Sequence, residues 1–317
     1  MTSSAAPSTA TDAAISVSGL RKSYGANEAV RSVDLSVERG EIFALLGPNG
    51  AGKTTTVEIL EGHRSRDGGD VSVLGHDPAD GERAMRERVG IVLQETGVEP
   101  YLSVAETVEL HRGYYRAPLP LDDVLDVVGL SAQRDERVRR LSGGQRRRLD
   151  VAIGLCGDPE LLFLDEPTTG FDPSARRSAW EMVRNLRVRG KTVLLTTHYM
   201  DEAQALADRV AILAGGEIVA RGTLDQLLAH DEMTTISFAL PDGHGELLAG
   251  LPDVETADGR ATIRAATPTA TLHELTRRAA ERQIELDELS VTRATLEEIY
   301  LSLTAGDGSA SSEASDE

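Results

Sequence analysis

The sequence predicts an α/β fold, with a mostly parallel sheet core, a helical insertion and a small C-terminal α+β appendage. Three observations predict it. Short apolar runs, Ile42–Leu46, Leu161–Leu164 and Thr192–Leu195, are bounded by turn residues or charge, as strands buried on both faces are. Between them, residues 95–157 carry helical spacing with no convincing strand. From about Met233 the pattern changes to short strand-like and helix-like segments.

In chain order, residues 1–14 are rich in Ser, Thr and Ala and read as a disordered tail; they have neither the basic patch nor the apolar stretch of a signal peptide. Residues 15–230 form the main domain. Within it, Leu102–Tyr115, Leu121–Val128 and Ser142–Cys156 are the expected helices of the insertion. Residues 231–305 form the appendage. Strands are expected at Thr235–Leu240, Ala261–Ala265 and Ile284–Leu289, and helices at Leu272–Glu281 and Leu296–Leu303. Residues 306–317 are Gly, Ser and acid and read as a second disordered tail.

Composition narrows the function classes. The net charge is −19, and between Asp231 and Glu317 there are 18 acidic against 6 basic residues, so nucleic acid is not the expected partner. No apolar run approaches the ~18 residues of a membrane-spanning helix. The single Cys156 rules out an internal disulfide, as suits a reducing cytosol. It falls on the apolar face of a helix with Leu149, Ala152 and Ile153, where a packed thiol is expected. The arginines Arg134, Arg137, Arg139, Arg140, Arg146, Arg147 and Arg148 have no stacking aromatics among them and read as a solvated face. Trp180 reads as packing.

The chemistry begins at Gly47-Pro48-Asn49-Gly50-Ala51-Gly52-Lys53-Thr54, followed by Thr55. It fits G-x-x-x-x-G-K-[ST], after a strand and before a helix, where a phosphate-binding loop must lie. Glycines let backbone N–H groups turn inward on phosphate, Lys53 neutralises β/γ charge, and the Thr54 hydroxyl can ligate Mg²⁺. Of only three lysines in the chain, one stands in this slot. Leu161–Leu164 ends in Asp165 and Glu166. Asp165 is placed to hold hydrated Mg²⁺ and Glu166 to polarise a water for in-line attack on the γ-phosphate. The fold class is therefore a P-loop NTPase, with ATP and Mg²⁺ as the expected ligands.

Leu141-Ser142-Gly143-Gly144-Gln145 resembles the signature of the ABC ATPase superfamily. It opens a helix and presents a second anion site. The resemblance, over about residues 15–230, implies a head-to-tail dimer with ATP between the Lys53 loop of one copy and the Ser142 segment of the other. It also implies that Tyr24 stacks on adenine, that Gln94 contacts Mg²⁺ and the attacking water, and that His198 bridges Glu166 and the γ-phosphate. Gly170-Phe171-Asp172 is similar to the loop after the catalytic carboxylate, with Phe171 where Leu is commoner. Ser142–Asp150, Thr197–Ala203 and Leu296–Tyr300 are similar to the drug-efflux branch typified by daunorubicin-resistance ATP-binding subunits. That branch implies a separate polytopic permease and a place on the inner face of the cell membrane.

Importers use the same engine, and the residues leave that alternative open. A DNA-maintenance ATPase would put a long coiled coil between Gln94 and Ser142, where 47 residues without sustained heptads intervene. A ribosome-associated factor would carry two tandem ATPase domains. Intact Glu166 and His198 argue against a nucleotide-binding regulator without turnover.

Overall fold

The computed structural model describes residues 13–92, 97–229, 233–240, 243–293, 296–297 and 299–300. The chain divides into two units, Met1–Gly222 and Thr223–Glu317.

The elements of the first unit are β1 (Ala13–Tyr24), β2 (Asn27–Glu38), β3 (Ile42–Leu46), α1 (Lys53–Leu60), β4 (Gly68–Val73), α2 (Arg83–Arg86), β5 (Val89–Val92), α3 (Val104–Arg112), α4 (Leu121–Val127), α5 (Gly143–Leu155), β6 (Leu161–Asp165), α6 (Pro173–Val188), β7 (Thr192–Thr197), α7 (Met200–Leu206), β8 (Arg209–Ala214) and β9 (Glu217–Thr223). The central sheet runs β5-β6-β7-β3-β8-β9, and β5, β6, β7, β3 and β8 pair in parallel. All five residues of β3 and all six of β7 are buried, which explains why these strands read as unbroken apolar or Thr-rich runs. The loops that carry the chemistry leave the C-terminal ends of β3, β6 and β7, side by side.

A second sheet, β2-β1-β4, is antiparallel. The expected mostly parallel core did not include it. Its strand β1 also starts at Ala13, inside the stretch expected to be a tail, and Ala14 is fully buried. Residues 1–12 lie outside the described set. Ile15, Leu20, Val33 and Val37 of this sheet share one apolar core with Phe43, Phe163 and Leu194 of the central sheet.

Because β5 and β6 are parallel neighbours, the chain needs a long crossover between them. The helical insertion fills it with α3, α4 and α5. Capping sets two of its helix starts. Ser103 accepts from Glu106 N–H at 3.2 Å while Glu106 accepts from Ser103 N–H at 2.8 Å. Ser142 and Gln145 make the same reciprocal pair at the head of α5. Cys156, at the C-cap of α5, is fully buried, and burial pushes its thiol up to about 12.

The second unit holds α8 (Leu224–Ala229), β10 (Thr234–Ala239), β11 (Val254–Ala257), β12 (Arg260–Ala265), α9 (Pro268–Glu281) and β13 (Ser290–Arg293). Its sheet is antiparallel in the order β11-β12-β10-β13. Ile236 and Phe238, alternating along β10, meet Leu275 and Ala279 of α9 in its core. The strand expected at Ile284–Leu289 is not there; β13 begins at Ser290 instead. Gln283 and Glu288 have φ of 57° and 54°, which extended backbone cannot accommodate. Ile284 and Leu286 still pack on the core, so the segment has a strand's apolar alternation without its backbone. Of the expected last helix, Leu296, Glu297, Ile299 and Tyr300 are helical and the remaining positions fall outside the described residues.

Candidate functional site

The phosphate loop connects β3 to α1. Its glycines are required by contact as well as by conformation. A Cβ at Gly47 would stand 2.3 Å from the carbonyl oxygen of Leu213, and one at Gly52 2.3 Å from that of Ala29. Gly50 and Gly52 have φ of 82° and 102°. Lys53 is 6% exposed and donates from Nζ to the carbonyls of Gly47 at 2.7 Å and Pro48 at 3.1 Å. Burial lowers the pKa of this ammonium, and the nearby Glu166 and Asp165 offset part of that effect. A desolvated cation on a glycine-rich turn at the head of a helix is a strong receptor for a polyphosphate.

A cavity of about 470 Å³ opens over the loop, lined by Pro48, Asn49, Gly50, Gly52, Lys53, Thr54, Thr55, Glu166 and His198, with Ala29 and Thr169. Gly47 and Ala51 shape the loop beneath it. Ala29 and Thr169 were not legible in the sequence: Ala29 comes from β2 of the other sheet, and Thr169 from the loop that also carries Glu166.

Asp165 ends β6, and its carboxylate accepts from the Thr196 hydroxyl of β7. Glu166 has φ of 44°, a left-handed conformation that costs a non-glycine residue about 1–3 kcal/mol. Its N–H is held by the Thr196 carbonyl at 3.2 Å and hydroxyl at 3.1 Å. Its carboxylate accepts from Thr169 Oγ1 at 3.0 Å and lies 3.1 Å from His198 Nδ1. The strain thus serves to aim one carboxylate into the cavity.

Ser142, Gly143 and Gly144 lie elsewhere. Ser142 caps α5, and a Cβ at Gly143 would meet nothing within 4 Å, so that end of the helix is open to close approach. Ser142, Gly144 and Gln145 line a separate cavity of about 320 Å³ with Phe171 and Asp172, and it shares no lining residue with the Lys53 cavity. Tyr24, at the end of β1, is half-exposed with Arg64 and Lys22 over its ring at 5.4 and 5.7 Å, and does not line the phosphate cavity. Gln94 lies outside the described residues.

The arginine run is a solvated face except at one member. Arg147 is 7% exposed and its guanidinium donates to main-chain carbonyls of Asp165 and Pro167. The signal in the sequence was Asp150, three residues on along the helix. Trp180 donates Nε1–H to the buried Glu202 at 3.3 Å, so it anchors α6 to α7 as well as packing.

Residues 30–169 match the ABC transporter family model, and residues 234–295 match the model for the C-terminal domain of proteins like the ABC transporter domain-containing protein. The daunorubicin resistance ATP-binding protein DrrA3 of Streptomyces coeruleorubidus is 39% identical over 307 residues, 93% of this chain and 97% of that one. The chain belongs to the ABC transporter ATP-binding subunits. As such a subunit it binds and hydrolyses ATP. The Nod factor export ATP-binding protein I of Ralstonia nicotianae is 43% identical over 68% of this ABC subunit and 69% of its own length. A dimeric bacterial ABC transporter cassette superposes with a TM-score of 0.58 at 25% identity, covering 66% of this subunit and 98% of the cassette. No helix among the described residues is long and apolar enough to cross a membrane.

One buried carboxylate of the ABC subunit stands behind the site. Glu61, at the C-cap of α1, is 6% exposed, and burial, with the charge of Asp165 and Glu58, pushes its pKa up to about 8. His63 Nδ1 is 3.2 Å from it. The folded protein therefore retains a proton that the unfolded chain releases between about pH 4.5 and 8. Stability from this group is complete below that window and lost as pH rises through it. Glu61→Gln is expected to flatten the decline, with the gap between variant and parent growing to a few kcal/mol, at about 1.4 kcal/mol per pH unit. Melting curves at pH 5, 6.5 and 8 check it; parallel declines in the two proteins would refute it.

Proposed function

We propose that two copies of this chain bind two ATP head to tail, each nucleotide between the Lys53 loop of one copy and the Ser142 segment of the other, and that closure and reopening drive a separate polytopic permease. The observation that carries this reading is the separation of the two anion sites into cavities with no residue in common. A chain that offers half of a site in each of two places is completed by a second copy turned the other way.

In this reading Lys53 and the loop N–H groups hold the β- and γ-phosphates, and Tyr24 stacks on the base. Glu166 takes a proton from water as the water oxygen bonds to the γ-phosphorus and the bond to the ADP oxygen breaks. His198, bound to Glu166 through Nδ1, keeps the carboxylate aimed and has its other ring nitrogen available to the γ-phosphate. The Thr54 hydroxyl, the Asp165 carboxylate and the Gln94 amide are hard oxygen donors of the kind Mg²⁺ shares with waters and phosphate, so these residues fit that ion. It would neutralise charge on the phosphate oxygens.

Export of drugs or other hydrophobic compounds is the favoured direction and cargo, because the relatives aligned over most of the chain are daunorubicin resistance ATP-binding proteins and those aligned over about two thirds of it are Nod factor export ATP-binding proteins. A place on the inner face of the cell membrane follows from the permease partner.

Mixing two inactive variants tests the arrangement. Lys53→Ala and Gly143→Asp chains should each be nearly inactive alone. A mixed dimer joins the intact loop of one to the intact signature of the other, so random pairing restores about a quarter of wild-type turnover. No recovery on mixing would refute the shared site. Affinity capture from gently solubilised membranes should co-purify a polytopic chain, whose absence would count against the permease.

A further inference from the structure

The Arg147 guanidinium is almost fully buried, and its partners straddle Glu166. Nη2 donates to the carbonyl of Asp165 at 2.7 Å and Nε to that of Pro167 at 3.3 Å, while Asp150 Oδ2 lies 3.9 Å from Nη1. Burying a guanidinium is costly unless its donors are matched, and its planar fork suits two carbonyls at fixed separation. Arg147 sits just past the first turn of α5, whose N-terminus is Ser142, Gly143 and Gly144. One rigid helix therefore carries an open anion site at its end and a clamp on the catalytic strand terminus one turn later. The clamped residue between the two carbonyls is the one in left-handed backbone, whose aim depends on how well its neighbours are held.

From this we infer that Arg147 is a positioning residue that ties the Ser142 end of α5 to Glu166 of the same chain, so that nucleotide engaged at one composite site adjusts hydrolysis at the other. The inference rests on the head-to-tail reading. In that arrangement Ser142 serves the partner's ATP and Glu166 serves the chain's own, and Arg147, hydrogen-bonded from α5 to both neighbours of Glu166, links the two duties.

The test uses the full-length chain. Arg147→Met keeps the apolar stem and removes the fork. ATP affinity should move less than about threefold while kcat falls roughly 10- to 100-fold, the size of a sub-ångström misplacement of a reacting group. Arg147→Lys, which keeps charge without the fork, should recover part of kcat and serves if the Met variant does not fold. Mixed dimers then separate cis from trans. One chain carries Glu166→Gln, so only the other hydrolyses. Arg147→Met on the chain with intact Glu166 should lower turnover at least tenfold more than the same change on the Glu166→Gln chain. Equal losses in both placements, or kcat within twofold of wild type in the uniform Arg147→Met protein, would overturn the inference. If light scattering of the concentrated Glu166→Gln chain finds no ATP-dependent dimer, the head-to-tail reading fails and the cross-site link with it. The kcat of the uniform variant would still decide whether Arg147 positions Glu166.

Discussion

Glu166→Gln is expected to keep ATP affinity within a few-fold of wild type while turnover falls by roughly 10²–10⁴-fold, the range for removal of a general base. The amide has nearly the shape of the carboxylate and can keep a hydrogen bond to Thr169 and His198, which lie 3.0 and 3.1 Å away. What it loses is the capacity to take a proton. The left-handed backbone at this position is held by main-chain and Thr196 contacts that the substitution does not touch. Equilibrium nucleotide titration and steady-state phosphate release together read the split. Turnover within threefold of wild type would remove Glu166 from the role proposed for it. ATP-bound dimer should also accumulate in this variant, since closure no longer ends in hydrolysis.

Lys53→Ala is expected to act on the other parameter. Hydrogen bonds to charged groups contribute about 1.5–3 kcal/mol each, so losing one or two from the phosphates weakens ATP binding by roughly 10²-fold or more. The unliganded protein should be no less stable. Lys53 is a buried cation whose partners are two loop carbonyls, and its removal relieves the desolvation that lowers its pKa. The variant should therefore melt no lower than wild type without nucleotide but lose most of the rise in melting temperature that ATP produces. Titration and thermal unfolding with and without ATP check both halves. Unchanged affinity would show that the loop does not hold the phosphates.

The contrast between what was legible and what was not follows the range of the interactions. The loop at Gly47–Thr54, the Asp165–Glu166 pair and the Ser142 segment each lie on a few consecutive residues with strict local geometry, so the sequence displays them directly. The helical insertion was equally plain, because its helical spacing is local. The residues that hold the site in register are not local. Thr196 reaches Asp165 and Glu166 across 31 and 30 positions, and Ala29 closes on Gly52 from the other sheet. Arg147 looked like one more surface arginine because nothing within its own helix but Asp150 marks it as buried. The antiparallel β2-β1-β4 sheet was missed because long half-exposed strands lack the apolar runs that announced β3 and β7. In the appendage, Ile284 and Leu286 show how alternation can mark packing without extended backbone.

The cap at the head of α5 has a kinetic meaning. Ser142 already accepts its own helix's N–H from Gln145 at 3.3 Å, so its hydroxyl proton remains available to an incoming phosphate without undoing the cap. In the head-to-tail arrangement proposed above, the Ser142 half would therefore meet the Lys53 loop with its helix already capped, and little ordering at that end would be left for the encounter. The scarce quantity is then the second copy. Two free subunits at low concentration would meet rarely, whereas two held on one membrane chain would face each other at an effective concentration in the millimolar range. In the transporter proposed above, the permease would act first as a tether, and the same two cassettes should run faster on it than in solution.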